Sequence, residues 1–179
     1  KTVVAVLVLG IASVVAQTPD PKVGVIILAH GGKANWNEEV QKVRAEVDKV
    51  YPAEVAFGMA SRRTIQAAAD KLVERGVERI VAVPLFISSH STVITSTEYL
   101  LGQRADAPKD LAIFAKMDHG DGGHGSHGGG HSAHSTYDGT KPIETKLPVV
   151  MTRALDDHPK VAEILTARAK ALGGTPENE

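Results

Sequence analysis

The sequence predicts an α/β domain built on a four-stranded parallel sheet flanked by helices on both faces. Four short runs rich in branched apolar residues alternate with segments whose apolar residues recur at helical spacing. Aromatic residues make up only 4% of the 179 residues, which suits parallel strands and amphipathic helices better than an aromatic-rich β-sandwich. The apolar content of 42% is enough for the core of one ordinary domain.

The first strand and helix open this alternation. Val23 to Ala29 is a continuous apolar run, typical of a strand buried on both faces, and it stops at a His-Gly-Gly sequence. Asn35 is the predicted cap of the next helix, with Glu38 three residues further on as its partner, and Pro52 follows the end of that helix. The apolar residues at helical spacing are Val40, Val43, Val47 and Val50.

The second and third strands follow the same order. Residues 54–60 form a second short apolar segment, and Ser61 caps a helix that ends before Gly76. One face of that helix carries Ile65, Ala68, Ala69, Leu72 and Val73. The third strand spans residues 79–88. Because Pro84 cannot donate a ladder hydrogen bond, we expect it near the end of that strand or at an irregularity.

The second half of the domain contains an insertion. A helix over residues 92–101 precedes a Gly, His, Ser and Asp tract at 118–140, which has no apolar periodicity and is expected to be a flexible loop. Residues 147–151 form the fourth strand. Pro159 then opens a helix that ends at Gly173. Its aligned residues are Val161, Ile164, Leu165, Arg168 and Leu172.

The two ends of the chain differ from the domain between them. Lys1 precedes an apolar run from Val3 to Val15, and small residues allow cleavage after Ala16, so residues 1–16 read as a signal peptide. A retained anchor or an ordinary strand are the alternatives for this segment. The domain then spans residues 17–174. Residues 175–179 are either a tail or the start of a linker to a second half.

Charge and cysteine content exclude several function classes. With 20 basic and 21 acidic residues the net charge is −1, so no overall basic field exists to attract nucleic acid. The absence of cysteine removes disulfides, thiolate metal sites and iron–sulfur clusters ligated by cysteine. Any metal must therefore bind to histidine, carboxylate or backbone oxygen. The serines near residue 89 lack the nucleophile elbow of a hydrolase.

Loops that follow parallel strands gather at one edge of the sheet, where ligands of open α/β folds bind. In strand order, these loops contain His30, Gly31 and Gly32; Ser61, Arg62 and Arg63; Ser88, Ser89 and His90; and Arg153, Asp156, Asp157 and His158. Two facing imidazoles, from His30 and His90, can hold a divalent first-row metal and accept protons near neutral pH. The alternatives are a strand-end histidine bound to the backbone for His30 and a surface histidine for His90. The two glycines serve either the tight turn or a phosphate at a helix N-terminus.

Three segments, residues 24–40, 54–102 and 151–172, resemble the sirohydrochlorin cobaltochelatases, a group of class II tetrapyrrole chelatases. The likeness covers residues 22–174. His30-Gly31 matches the His-Gly motif of that family after its first strand, and His90 corresponds to its second histidine. The resemblance implies a chelatase-like α/β fold in which these histidines bind metal and accept protons. It also implies insertion of Co²⁺, Ni²⁺ or Fe²⁺ into a precorrin-derived macrocycle without ATP hydrolysis, and hence without a nucleotide.

Neighbouring residues are candidates for further roles, on the basis of their position and chemistry. Glu98, on the helix after His90, is a candidate to assist proton removal, and its alternative role is that of a solvated helix carboxylate. Arg62 and Arg63 are candidates to bind tetrapyrrole carboxylates bidentately, or else form a surface pair at a helix start. Gly31 and Ser89 complete the expected contacts with the substrate.

Two questions of context stay open at this point. The chain corresponds to one half-domain of this family. The resemblance therefore implies either a homodimer or a fused second half that this chain does not contain. The insertion carries five histidines, namely His119, His124, His127, His131 and His134. Either they capture metal as accessory ligands, or the insertion is a linker in which these histidines are incidental. An exported or periplasmic metal-binding or metal-delivery protein without catalysis is therefore the alternative function. Without an export signal, the expected location is cytoplasmic.

Overall fold

The computed structural model of the chain describes residues 22–117 and 138–173. These residues form a four-stranded sheet in the order β2-β1-β3-β4, and all three pairings are parallel. The strands are β1 (Val23–Ala29), β2 (Ala53–Phe57), β3 (Arg79–Pro84) and β4 (Val149–Met151). The helices are α1 (Ala34–Val47), α2 (Arg62–Glu74), α3 (Thr92–Leu100), α4 (Leu111–Met117) and α5 (Pro159–Ala171). The α/β fold with a parallel sheet is confirmed.

Helices cover both faces of the sheet. The side chains of β1 point alternately to the two faces, and each face has its own apolar cluster between strand and helix. Ile26 and Leu28 lie on the face that packs against Leu72 of α2 and Leu100 of α3. The larger cluster also includes Leu111 of α4, Ile80 and Ala82. The opposite face buries Val25, Ile27 and Ala29 beside Val40 of α1. The predicted continuous burial of β1 is therefore confirmed.

The second and third strands end earlier than the sequence predicts. Gly58 and Ala60 follow β2 with φ of +134° and +50°, so the chain turns there instead of extending to residue 60. β3 ends at Pro84, which lies opposite Leu28 in β1. The next residue, Leu85, donates its N–H to the Leu28 carbonyl at 2.8 Å. Phe86 and Ile87 continue the apolar pattern but lie beyond the end of the strand.

The start of α1 also differs from its prediction. The helix begins at Ala34 with Lys33 as its cap residue, and the side chain of Lys33 makes no capping hydrogen bond. The Asn35 side chain accepts from the N–H of Trp36 at 2.9 Å, so the predicted capping box with Glu38 is wrong. Val43 and Val50 are exposed, and Val40 is the buried residue of this helix.

Of the remaining predicted elements, α2 and α3 match well. Ser61 and Ser91 cap them by accepting backbone N–H groups, as proposed for Ser61, although Val73 of α2 is exposed. β4 is shorter than residues 147–151, and α4 was not predicted. Pro159 opens α5 as expected, yet α5 has no buried residue.

The predictions for residues 1–16, the tract histidines and residues 175–179 lie outside the described residues. Within 22–117 and 138–173, no helix combines the length and the apolar content needed to cross a membrane.

Candidate functional site

His30 and His90 lie at the same edge of the sheet. His30 directly follows β1, and His90 precedes the cap residue of α3, in the loop that begins at the end of β3. β1 and β3 are adjacent and parallel over Val23–Leu28, so their carboxyl ends lie side by side. Both histidines are exposed. Both histidines thus lie at the sheet edge where the sequence predicts them, and their role as metal ligands stays a prediction.

The imidazole of His30 is bound to the next residue of the loop. Its Nδ1 lies 2.5 Å from the carbonyl oxygen of Gly31. A carbonyl oxygen can only accept, so this contact requires a proton on Nδ1. In the neutral ring, Nε2 then carries the free lone pair, and this is the form of histidine that binds metal or accepts a proton. This contact thus selects one tautomer of His30.

Trp36 holds the backbone of His30 in place. Its indole N–H donates to the His30 carbonyl at 2.7 Å. The indole lies against Gly32, where an added Cβ would be only 3.0 Å from Trp36 Cδ1. At Gly31 an added Cβ would meet only Phe57, at an ordinary 3.7 Å. Gly32 is therefore the more closely packed of the two glycines, while Gly31 contributes its carbonyl.

The loop that carries His90 is joined to the loop after β4 through Ser89 and Asp156. The backbone N–H and the hydroxyl of Ser89 donate to the Asp156 carboxylate at 2.8 and 2.6 Å. The Ser89 hydroxyl oxygen accepts the N–H of Ala154 at 2.9 Å. The two bonds from Ser89 hold the pKa of Asp156 below its usual value. The bond from the hydroxyl contributes most, and the bond from the backbone N–H contributes next.

Backbone hydrogen bonds extend this connection. The N–H groups of Leu155 and Asp156 donate to the carbonyls of Phe86 and Ile87 at 2.9 and 2.8 Å. Phe86, Ile87 and Ser89 are therefore bonded to the loop after β4, beyond the end of the sheet. Arg153 adds an ion pair to Asp156 at 3.1 Å.

The other candidate residues have different surroundings. Arg62, at the first position of α2, donates to the Pro142 carbonyl at 3.0 Å and to Glu144 at 3.2 Å, and only 10% of its side chain is exposed. Arg63 is exposed at the same helix start. Glu98 is half-buried in the second turn of α3. At about 1.5 Å of rise per residue, it lies roughly 10 Å along the helix from the cap at Ser91.

These positions leave the predicted roles of Arg62, Arg63 and Glu98 as predictions. The guanidinium of Arg62 already binds the segment before β4, so a substrate carboxylate would have to share it. Glu98 lies away from the loop end of α3. Gly31 and Ser89 lie at the edge, beside His30 and His90 respectively.

Few side chains at this edge could serve as metal ligands. Within the described ranges 22–117 and 138–173, no group of three or more His, Asp or Glu side chains is arranged to hold a metal ion. Two imidazoles would leave most positions of a six-coordinate ion to water or to an incoming ligand.

Two residues at this edge were not assigned a role from the sequence. Asp156 stood among the loop residues expected here, but its bond to Ser89 joins residues 67 apart and follows no local pattern. Trp36 lies within the first turn of a helix, where an aromatic residue is ordinarily interpreted as part of the core. In the sequence, only its short distance from His30 could have indicated a contact with that residue.

Comparisons with known proteins agree with this architecture. The model of the CbiX family matches residues 24–172. A sirohydrochlorin cobaltochelatase of Methanothermobacter thermautotrophicus is 32% identical over 155 residues, which cover 84% of this chain and 93% of the relative. One of Methanopyrus kandleri is 33% identical over 156 residues, 84% of this chain and 98% of the relative.

A third relative, a sirohydrochlorin cobaltochelatase of Sulfolobus acidocaldarius, is 36% identical over 69 residues, 37% of this chain and 56% of that protein. The family match extends from the first strand to the end of α5, and the first two relatives align over most of both chains. The chain therefore belongs to the CbiX family.

Proposed function

We propose that the protein is a metal chelatase that inserts Co²⁺ into a sirohydrochlorin-like tetrapyrrole, with Ni²⁺ and Fe²⁺ as alternative metals. Membership of the CbiX family and relatives named sirohydrochlorin cobaltochelatase support this activity. The observation that carries the proposal is the position of His30 and His90 after two adjacent parallel strands. The metal is a substrate here, and the reaction needs no nucleotide.

The proposed chemistry uses the imidazoles twice. A divalent ion that enters a tetrapyrrole replaces two pyrrole protons, so the site has to deliver a cation and remove two protons. In the neutral tautomer that the contact of Nδ1 with Gly31 favours, His30 Nε2 can first bind the ion and, after releasing it to the macrocycle, accept one proton. His90 has the same capacity, and Glu98 remains the candidate to relay protons away.

The substrate contacts are proposed from the loops at the same edge. Gly31 and Ser89 lie next to the two histidines, and Arg62 and Arg63 start the helix after β2. A macrocycle that bears several carboxylates would meet positive charge on that side.

Alanine variants of the two histidines test this proposal. His30→Ala or His90→Ala removes one ligand and one base together, so we expect the rate of metal insertion to fall at least about 10²-fold. The measurement is anaerobic metallation of sirohydrochlorin by Co²⁺, Ni²⁺ or Fe²⁺, followed by absorbance. Circular dichroism should change little, because both side chains are exposed.

His158→Ala is the matched control, because His158 lies at the same edge but accepts the N–H of Lys160 to cap α5. Its loss should cost about 1 kcal/mol of helix stability and leave metallation near the wild-type rate. If the His30 and His90 variants both kept full activity, the site assignment would be wrong.

A second function, metal binding or delivery without catalysis, is favoured by the five tract histidines. In that case the wild-type protein binds several ions but does not accelerate metallation of any macrocycle. We further propose that residues 1–16 direct export, and that one half-domain works as a homodimer or with a second half. Retention in the cytoplasm, measured by fractionation of the expressed protein, would contradict the export proposal.

A further inference from the structure

We infer that Asp156 is a positioning residue for His90, acting through Ser89. The inference rests on the proposed function, in which His90 binds the metal. Only 12% of the Asp156 side chain is exposed, and its carboxylate accepts both the backbone N–H and the hydroxyl of Ser89. Neither the comparisons nor the motif around the two histidines assigns a role to this residue.

Ser89 transmits the constraint because it is the residue directly before His90. A trans peptide places the two Cα atoms about 3.8 Å apart. With its N–H and its side chain both held, Ser89 has little freedom to rotate, and neither does the start of the His90 backbone. On the other side, His90 donates its N–H to the Ser88 hydroxyl at 3.1 Å. The loop therefore fixes the point from which the imidazole extends.

The conformation of Asp156 itself fits this role. Its φ is +43°, in the left-handed region that aspartate and asparagine adopt more readily than other non-glycine residues. This conformation accompanies the bond from its N–H to Ile87 and the two bonds from Ser89 to its carboxylate. A carboxylate accepts at both oxygens, whereas an asparagine amide accepts at one only. Asp156→Asn thus preserves shape and backbone preference while it removes one acceptor and the charge.

The test compares Asp156→Asn with Asp157→Asn in the full chain. We expect Asp156→Asn to lower kcat for metallation of sirohydrochlorin by Co²⁺ about 10- to 100-fold, with little change in KM for the macrocycle. Amide hydrogen exchange of residues 86–91 should become faster. Asp157 is exposed and one residue further on, so its variant changes the same charge and should match the wild type in both measurements.

A double variant shows whether the effect passes through Ser89. Ser89→Ala should reproduce the loss of kcat, and Ser89→Ala combined with Asp156→Asn should lose no more than the larger single effect. The inference is overturned if Asp156→Asn keeps the wild-type kcat, whether or not its amide hydrogen exchange becomes faster. It is also overturned if the losses of kcat in the two single variants multiply in the double variant. A wild-type protein that does not metallate overturns the proposed function instead, and the inference with it.

Discussion

The indole of Trp36 is fixed beside His30 by its hydrogen bond to the His30 carbonyl and by its contact with Gly32. About half of this residue, 48%, remains exposed. Trp36 is also the only tryptophan in the chain. An ion bound by the His30 imidazole would therefore lie close to the single tryptophan fluorophore of the protein.

We expect Co²⁺ to quench Trp36 fluorescence, because a nearby paramagnetic ion gives the excited indole a non-radiative path to the ground state. The quenching should saturate with the occupation of the edge site. His30→Ala should abolish most of it, since the ligand next to the indole is lost. The measurement is a fluorescence titration of wild type and variant with Co²⁺.

Zn²⁺ serves as the control metal, because it binds imidazole but has a filled d shell and no redox chemistry. It should change Trp36 emission much less than Co²⁺. Equal Co²⁺ quenching in wild type and His30→Ala would place the ion elsewhere.

At the residue scale, the sequence predicts which residues reach the edge but not what they touch. His30 and His90 follow apolar runs, and strand ends locate them in any parallel sheet. The bonds of Trp36 to His30 and of Asp156 to Ser89 depend on how loops bend after the strands end. Arg62 illustrates the same limit, because its partners Pro142 and Glu144 are about 80 residues further on.

Among the elements, α1, α2 and β2 are joined at one end by a group of charged side chains. Arg75, after α2, pairs with Asp48 at the end of α1 and with Glu54 in β2 at 3.2 Å. Arg75 holds the pKa of Asp48 below its usual value, with a further contribution from the Ala53 N–H. Reciprocally, the bond to Asp48 raises the pKa of Arg75.

Arg75→Met should destabilise the fold by about 2 kcal/mol at pH 7, because it leaves Asp48 and Glu54 without their shared partner. The folded-state pKa of Asp48 is depressed, so its contribution is present above the ordinary value of 3.8 and is lost as pH falls through the folded value. The difference between wild type and variant should therefore shrink below about pH 4. Urea unfolding at several pH values measures it.

Lys49→Met is the comparison for this prediction. Lys49 pairs with Glu46 on the exposed surface, so its replacement should cost at most about 0.5 kcal/mol. A cost for Arg75→Met that is equally small, or constant from pH 7 to pH 3, would contradict the assigned role of the Asp48 pair.

Element positions follow from the sequence where apolar runs and caps coincide, as for β1 and for the helix that Ser61 opens. The ends of β2 and β3 do not, because a strand ends where its neighbour ends and the apolar pattern runs past that point. α4 was missed because its seven residues, Leu111–Met117, are too few for a helical period to stand out. The exposed face of α5 likewise has an apolar pattern that does not lead to burial.

At the scale of the whole molecule, the histidine tract joins α4 to β4 and its five histidines lie outside the described residues. His30 and His90 belong to loops after other strands, so the tract and the edge pair are separate in sequence. We expect them to be separable in function as well.

Replacing all five tract histidines by asparagine should lower the number of metal ions bound per chain while metallation at saturating metal stays largely intact. The physical reason is that the tract can only raise the local supply of ions, which saturating metal makes unnecessary. Equilibrium dialysis counts the ions, and the sirohydrochlorin assay measures turnover. A loss of turnover at saturating metal would place the tract in the reaction centre.

The Asp48 and Arg75 pair also determines what the open side of β2 can accept. Parallel pairing with β1 turns the N–H and C=O of Ala53 outward, and Asp48 and Arg75 bind them at 2.8 and 3.2 Å. Thr64 binds the carbonyl of Phe57 at the other end of the strand. On the far side of the sheet, Gln103 binds the outward carbonyl of Val149.

An additional strand would therefore have to displace side chains at either border before it could form a ladder. At these positions the side chains oppose a continuous sheet that would run from one copy of the chain into a second copy. Where the outward backbone groups are bound in this way, they are also withheld from the strand-by-strand stacking that leads to fibrils.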